Sequence, residues 1–196
     1  MSLAKQAKTL TKPQMEAVLA YLTSTRHPTR NRVIFLLSVK AGLRAKEIAS
    51  LTWAMVTDAE GALTDVISLT DVASKGRGGR MIPISKELRA ALLALKAEAD
   101  KLTRPSSFVI TSERAGRTSS YAIVNKFAAW YRALGFNGAS SHSGRRTAIT
   151  NWARKISTVG GSLRDVQMLA GHSALSTTQR YIEGAEEARR RVVELI

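Results

Sequence analysis

Helical periodicity is the feature of this sequence that most restricts its fold. Apolar residues recur at spacings of three and four, beginning with Val18, Leu19 and Leu22, and this spacing lines one face of an α-helix. Thr11 stands before that first run with Gln14 three positions later, which is the pattern of a capping box at a helix start. The sequence therefore predicts a helix from Thr11 onwards, and the same spacing extends over most of the chain.

Further helices are predicted where this spacing meets a residue that starts or stops a helix. Glycine ends helices because it adopts the left-handed conformation without strain, and serine caps helix starts by accepting a backbone hydrogen bond. By these signals we predict helices over 29–41 before Gly42, over 44–51, after Ser85, over 119–134 before Gly135, from about His142, from Ser162 to Gly171, and from a Ser176 cap through Tyr181.

The stretch from 53 to 85 breaks the helical pattern. Its β-branched residues alternate loosely, and Asp, Gly and Pro interrupt them, which is typical of short strands joined by turns. Segments 66–70 and 80–84 are predicted as two strands, and the glycine-rich basic segment 74–80 as the turn between them. We therefore expect a mainly α fold with a small antiparallel β-sheet, an α+β domain.

The domain organisation follows from the length and the even patterning. A chain of 196 residues fits a single domain, and no repeat, low-complexity tract or linker divides it. We predict one domain over 11–196 and assign 1–10 to a leader or flexible N-terminus. No apolar run approaches the roughly 18 residues that a membrane span needs, so no membrane association is expected.

Charge is the first indication of function. The chain has 30 Lys and Arg against 15 Asp and Glu, a formal net charge of +15, which favours polyanions and above all nucleic acid. A basic protein with no specific partner stays open as the alternative. The absence of cysteine excludes disulfides and thiolate metal sites and agrees with the cytoplasmic localisation that we predict.

Several cationic or reactive side chains stand in distinctive sequence contexts. Taken singly, each of them is only a weak indication of function. A lone tyrosine on a helix is usually a core residue, and a His-x-x-Arg spacing arises easily by chance. Their contexts are Ala41-Gly42-Leu43-Arg44 with Glu47 and Leu51-Thr52-Trp53, then Ser74-Lys75-Gly76 with Arg80-Met81-Ile82-Pro83-Ile84, then His142-Ser143-Gly144-Arg145-Arg146-Thr147, and finally Leu169-Ala170-Gly171-His172 leading through Thr177-Thr178 to Tyr181.

Together and in this order, these segments resemble the tyrosine recombinases of the phage integrase family. The resemblance extends from about residue 11 to the end of the chain, and the last segment is its most specific part. Arg146, Ala170 and Ser141 stand where the family usually has histidine, glycine and proline, and none of these is a catalytic position. The resemblance implies the catalytic-domain fold of that family, without the family's amino-terminal core-binding domain.

The chemistry of strand cleavage explains why these residue types would be needed. The equatorial oxygens of a phosphodiester gain negative charge in an in-line transition state, and arginine donates planar, bidentate hydrogen bonds to such oxygens while staying charged. Arg44 and Arg145, far apart in sequence, should therefore converge. Tyrosine ordinarily ionises only near pH 10, so a nucleophilic Tyr181 needs neighbouring groups to assist it.

The family resemblance implies a role for each candidate. Tyr181 would form a covalent 3′-phosphotyrosyl intermediate, without metal, ATP or other cofactor. The partner would be double-stranded DNA, bound by a homo-tetramer on paired sites, while the bacterial or phage-encoded protein would be a monomer or weak oligomer without DNA. The implied catalytic residues are Arg44, Lys75, His142, Arg145, His172 and Tyr181, with Glu47 supporting Arg44, and Lys75, Arg77 and Arg80 contacting DNA.

Alternatives stay open at this point. A type IB topoisomerase would use the same chemistry to relax DNA as a monomer, although the short chain and the Leu169-Ala170-Gly171-His172 segment favour a recombinase. A non-catalytic DNA-binding module with the same fold is less attractive because every candidate catalytic residue is present. A phosphate-cradling loop at 75–79 lacks the P-loop spacing and a following Ser or Thr.

Overall fold

The computed structural model describes residues 7–70, 79–100, 107–113, 116–181 and 193. It divides into two compact units, one up to Ala148 and one from Ile149. The predicted mainly α fold with a small antiparallel sheet is confirmed. The helices are α1 (Lys12–Thr23), α2 (Pro28–Val39), α3 (Ala45–Ser50), α4 (Lys86–Ala99), α5 (Ser120–Ala133), α6 (Ser143–Lys155), α7 (Leu163–Ala170) and α8 (Leu175–Gln179), with strands β1 (Val66–Leu69) and β2 (Arg80–Pro83).

The two strands form an antiparallel pair in the first unit. Leu69 at the end of β1 lies opposite Arg80 at the start of β2. Alternate side chains of a strand point to opposite faces, and Ile67 and Ile82 turn to the buried face while Met81 is exposed. Arg80 therefore shares the buried face with Ile82, and its partner across the strand pair is Leu69.

Helix α2 forms the centre of the first unit. Its residues from Val33 to Leu37 are completely buried, so this part of the helix has no solvent-facing stripe, which is the signature of a helix segment enclosed by other elements. Helices α1 and α4 pack against it, and α3 packs against α5. This enclosed helix leads through Gly42, which has a positive φ of 64°, directly into the candidate arginine at position 44.

The second unit has a small core of its own. Ile149, Val166 and Ala170 are buried there, and Tyr181 packs against this cluster as a partly buried side chain. Gly171 ends α7 in the left-handed conformation with φ 64° and ψ 47°, as its position after the apolar run predicted. The candidate tyrosine is thus attached to the second unit by apolar packing.

Most helix boundaries agree with the sequence signals. The capping box of Thr11 and Gln14 is present at α1, and that of Ser162 with Asp165 at α7. The predicted Ser176 cap is wrong, because α8 already begins at Leu175, where the amide of Thr177 bonds to the carbonyl of Ala174. Tyr181 follows α8 in a turn instead of lying within it.

The N-terminal boundary also differs from the expectation. Leu10, which we assigned to a flexible leader, is buried, and its amide donates to Thr147 Oγ1 at 2.8 Å. Apolar burial and this hydrogen bond hold the residue, so Leu10 belongs with the folded unit. No helix among the described residues is both long and apolar enough to cross a membrane.

Gly144 gives a test of close packing beside the candidate site. A Cβ at this position would lie 2.3 Å from Ser38 Oγ and 2.9 Å from Ser38 Cβ, so α6 approaches α2 more closely than alanine allows. Gly144→Ala is expected to lower the free energy of unfolding by about 1–3 kcal/mol, although alanine is ordinarily the better helix former. Urea denaturation measures this difference.

The same substitution in a Ser38→Ala background is the matched control. Ser38 Oγ is buried without a hydrogen-bond partner, so its removal alone costs little. Gly144→Ala should then destabilise less, because the nearest clashing atom is gone. An equal cost in both backgrounds would contradict a steric origin.

Candidate active site

In the first unit, the candidate residues gather at the start of α3. Arg44 immediately precedes the helix, and its amide donates to Glu47 Oε2 at 2.8 Å. The Arg44 guanidinium also donates from Nη1 to Glu47 Oε1 at 2.9 Å. Glu47 thus holds the Arg44 guanidinium in place. Because 32% of the Arg44 side chain is exposed, a ligand can reach it from solvent.

Glu47 is a buried anion held by two arginines. Its side chain is only 1% exposed, and Arg80 donates to both carboxylate oxygens, from Nη1 to Oε1 at 2.9 Å and from Nη2 to Oε2 at 2.9 Å. Burial alone raises the pKa of Glu47. Hydrogen bonding and charge from Arg80, the amide of Arg44 and the charge of Arg145 together bring that pKa below its usual value.

Arg145 reaches the same region from α6. Its side chain is 4% exposed, and Nη1 donates to the carbonyl of Gly42 at 2.6 Å across 103 positions of sequence. Gly42 lies two residues before Arg44, and the positive charge of Arg145 also acts on Glu47. The structure therefore brings the two candidate phosphate-binding arginines to one loop.

His142 lies at the N-terminal end of α6, one residue before its first turn. Its carbonyl accepts from the amide of Arg146 at 2.9 Å, and its own amide donates to Ser140 Oγ at 3.3 Å. The residue is exposed, whereas Arg145 is buried. The His-x-x-Arg spacing thus separates an accessible imidazole from an enclosed guanidinium within a single helical turn.

A separate group of candidate residues lies in the second unit. The rings of His172 and Tyr181 stack with 5.6 Å between centroids and 24° between planes. His172 Nδ1 lies 2.9 Å from Thr178 Oγ1, and the carbonyl of His172 accepts from Gln167 Nε2 at 2.9 Å. The ring and the backbone carbonyl of His172 are thus both held by hydrogen bonds, and the ring lies directly against the candidate nucleophile Tyr181.

Three supporting residues were not identified in this role from the sequence. Thr178 and Gln167 hold His172, and both are buried. Arg80 was predicted to contact DNA, but its side chain is 7% exposed and paired with Glu47, so the DNA contact stays a prediction. A signal for Arg80 did exist, because strand alternation places it on the same face as the buried Ile82.

Two predicted site residues lie outside the described residues. These are Lys75 and Arg77, both within 71–78. The roles of Lys75 and Arg77 therefore stay predictions. Within the described ranges, no group of three or more His, Cys, Asp or Glu is placed to hold a metal ion.

Known proteins resemble this chain along nearly its whole length. Residues 8–188 match the sequence model of the phage integrase family. The chain is 31% identical over 189 residues to tyrosine recombinase XerD of Xanthomonas axonopodis pv. citri, covering 89% of this chain and 57% of that protein. For tyrosine recombinase XerA of Thermococcus onnurineus the identity is 29% over 192 residues, covering 95% and 62%. The chain thus spans about three fifths of these curated relatives.

Solved structures of recombinases have the same fold. The crystal structure of XerA recombinase superposes with a TM-score of 0.75 at 20% identity, covering 96% of this chain and 65% of that chain. XerH site-specific recombinase bound to its difH substrate, in a pre-cleavage complex, gives a TM-score of 0.72 at 18% identity, covering 98% and 55%. The predicted catalytic-domain fold is confirmed by this likeness.

Proposed function

This chain belongs to the phage integrase family, and from that premise we propose that it cleaves and rejoins DNA at a specific site through a covalent 3′-phosphotyrosyl intermediate on Tyr181. The observation that carries the proposal is the placement of Tyr181 against His172, whose ring is held by Thr178. An exposed or randomly placed tyrosine would have no such fixed neighbour. The relatives named above are tyrosine recombinases, and XerH is bound to a DNA substrate.

Arg44 and Arg145 supply the phosphate-binding half of the proposed reaction. Both donate to fixed acceptors, Arg44 to Glu47 and Arg145 to the Gly42 carbonyl, so both guanidinia are oriented before DNA binds. Preorganised cations aimed at developing charge lower the barrier more than mobile ones, because they need not reorganise during the reaction. The two arginines would stabilise the equatorial oxygens of the scissile phosphate.

Proton transfer completes the proposed mechanism. Tyr181 Oη attacks phosphorus and loses its proton, the bond from phosphorus to the 5′ oxygen breaks, and that oxygen takes up a proton to become a hydroxyl. We assign the acid–base role near the tyrosine to His142, a phosphate hydrogen bond to His172, and protonation of the leaving oxygen to Lys75. A general acid typically contributes about 10²–10⁴-fold.

Rejoining reverses these steps and needs no metal or ATP in the proposed mechanism. The phosphotyrosyl ester keeps the energy of the broken bond, so attack by a 5′ hydroxyl restores the DNA backbone. We propose double-stranded DNA as the substrate, paired sites bound by a homo-tetramer, and a monomer or weak oligomer in its absence. The formal net charge of +15 supports a polyanionic partner.

A nicked suicide substrate tests the proposed function. A search for inverted repeats beside the native gene supplies the candidate site, and a nick beside the cleavage position releases the short strand so that rejoining fails. Incubation in EDTA should give a covalent protein–DNA adduct on a denaturing gel. Specific binding without any adduct would contradict the proposal and favour a non-catalytic module, and relaxation of plasmids without DNA-dependent oligomerisation would favour a topoisomerase.

Thr178 gives a prediction specific to the residues around His172. Thr178→Val keeps the buried shape but removes the hydroxyl that lies 2.9 Å from His172 Nδ1. Loss of one hydrogen bond that orients a reacting group should lower the single-turnover cleavage rate about tenfold. Thr177→Val, at the exposed neighbouring position, is the matched control. Equal rates for the two variants would contradict a role for Thr178 in holding His172.

A further inference from the structure

We propose that Arg80 is a positioning residue that fixes Arg44 through the Glu47 carboxylate, and so joins the start of β2 to the phosphate-binding arginine. The role assigned to Arg44 rests on the proposed function. The link from Arg80 to Glu47 rests on geometry alone.

Two arginines occupy the hydrogen-bonding positions of the Glu47 carboxylate. Oε1 accepts from the guanidinia of Arg44 and Arg80, and Oε2 accepts from the amide of Arg44 and from Arg80. An ionised carboxylate offers about four lone-pair positions, so all of them are occupied. The terminal torsion of glutamate is broad when unrestrained, and the planar fork of Arg80 removes that freedom. Glu47 can then present only one orientation to Arg44.

Position along the chain gives Arg80 a second connection. It is the first residue of β2 and lies opposite Leu69, the last residue of β1. The segment between these two residues contains Lys75, the proposed general acid. Because the Arg80 side chain at the start of β2 binds Glu47, it connects the strand pair to the start of α3. Lysine could not reproduce this link, since it lacks the bidentate fork.

Burial distinguishes this role from a direct DNA contact. The Arg80 side chain is 7% exposed, whereas that of Arg44 is 32% exposed. Phosphate contacts are made by accessible cations, and their loss weakens binding and reduces its salt dependence. A positioning role predicts instead that Arg80 matters only while Glu47 is present and charged.

A double-mutant cycle on stability tests the link without DNA. The charged groups that act on Glu47 are Arg44, Arg80 and Arg145, and they hold its pKa below the usual value against the effect of burial. A carboxylate with a depressed folded-state pKa contributes stability that is present at neutral pH and is lost as the pH falls through that pKa. The destabilisation by Arg80→Met should therefore be greatest at neutral pH and shrink in acid.

The background variant Glu47→Gln makes that expectation specific. With no charge at position 47, Arg80→Met should cost the same stability at neutral and acidic pH, as measured by urea denaturation. An Arg80→Met cost that is independent of pH in the unchanged background would overturn the proposal. Arg89→Met is the matched control, because Arg89 pairs with Asp65 and the carbonyls of Leu63 and Thr64. Its cost should not depend on the residue at position 47.

Cleavage of the suicide substrate gives the second readout. Arg80→Met should lower the single-turnover rate about 100-fold, the effect of a small misplacement of a reacting group, with little change in DNA affinity or in the salt dependence of binding. Arg80→Lys, which keeps the charge, should recover part of that loss. In the Glu47→Gln background, Arg80→Met should have little further effect on the rate.

The outcomes separate this proposal from the proposed function. Additive rate losses from Arg80→Met and Glu47→Gln, together with weaker and less salt-dependent binding, would overturn positioning and make Arg80 a direct DNA contact. Absence of any adduct with the unchanged protein would instead contradict the proposed function. The stability cycle would then still decide whether Arg80 fixes Glu47, because it requires neither DNA nor cleavage.

Discussion

Tyr181→Phe is expected to abolish covalent adduct formation while leaving DNA binding nearly unchanged. The substitution removes one oxygen and keeps the ring that stacks on His172 and packs on the small core of the second unit. Loss of a nucleophile typically lowers turnover by more than about 10⁴-fold, so no adduct should be detectable. Denaturing electrophoresis measures the adduct, and a native mobility shift measures binding.

Tyr121→Phe is the matched control for this change. Tyr121 lies on α5 with 72% of its surface exposed, so the variant loses the same atom in a setting with little packing. It should form the adduct at the rate of the unchanged protein. An adduct that persists in Tyr181→Phe would remove Tyr181 as the nucleophile, and loss of binding in that variant would indicate a structural effect.

Arg44→Gln is expected to have the second largest effect. Glutamine keeps the backbone amide of position 44, which donates to Glu47. It loses the positive charge and the planar guanidinium that would face the scissile phosphate. Removing one preorganised donor from a charged transition state typically costs about 10²–10³-fold in rate. Single-turnover cleavage of the suicide substrate should fall by that factor. DNA affinity should fall much less. The slope of the logarithm of affinity against the logarithm of salt concentration should fall in magnitude by about one.

Arg32→Gln provides the control for loss of one arginine. Arg32 lies on α2, where it pairs with Glu87 at 3.1 Å, and 41% of its side chain is exposed. Its replacement removes the same formal charge away from the candidate site, so cleavage should change little. A rate for Arg44→Gln equal to that of Arg32→Gln would contradict the placement of Arg44 at the phosphate.

Local structure was largely predictable from the sequence. The capping boxes at Thr11 and Ser162 and the stop at Gly171 depend on residues three or four positions apart, and all three are present in the structure. The two strands were predicted from alternation over a few residues, and they pair as an antiparallel sheet. Such signals work because helix ends and strand faces are decided by near neighbours along the chain.

The two departures from the sequence expectations have different explanations. Ser176 satisfies the sequence rule for a cap, yet α8 begins one residue before it. The chain had already turned, since the amide of Thr177 reaches the Ala174 carbonyl. Leu10 was assigned to a leader because it lies outside the first periodic run. Its burial and its hydrogen bond to Thr147 depend on a residue 137 positions away.

The sequence by itself determined the helices, the strand pair and the identity of the candidate catalytic side chains, because each rests on short-range pattern or on distinctive motifs. Only the tertiary structure decided how the supporting charges are paired. The family resemblance assigned Glu47 to Arg44, but the bidentate partner of Glu47, Arg80, lies 33 positions away, and Arg145 reaches Gly42 across 103 positions. A buried carboxylate takes the cations that folding brings within hydrogen-bonding distance, and that distance is set by the packing of whole elements, which no local pattern encodes.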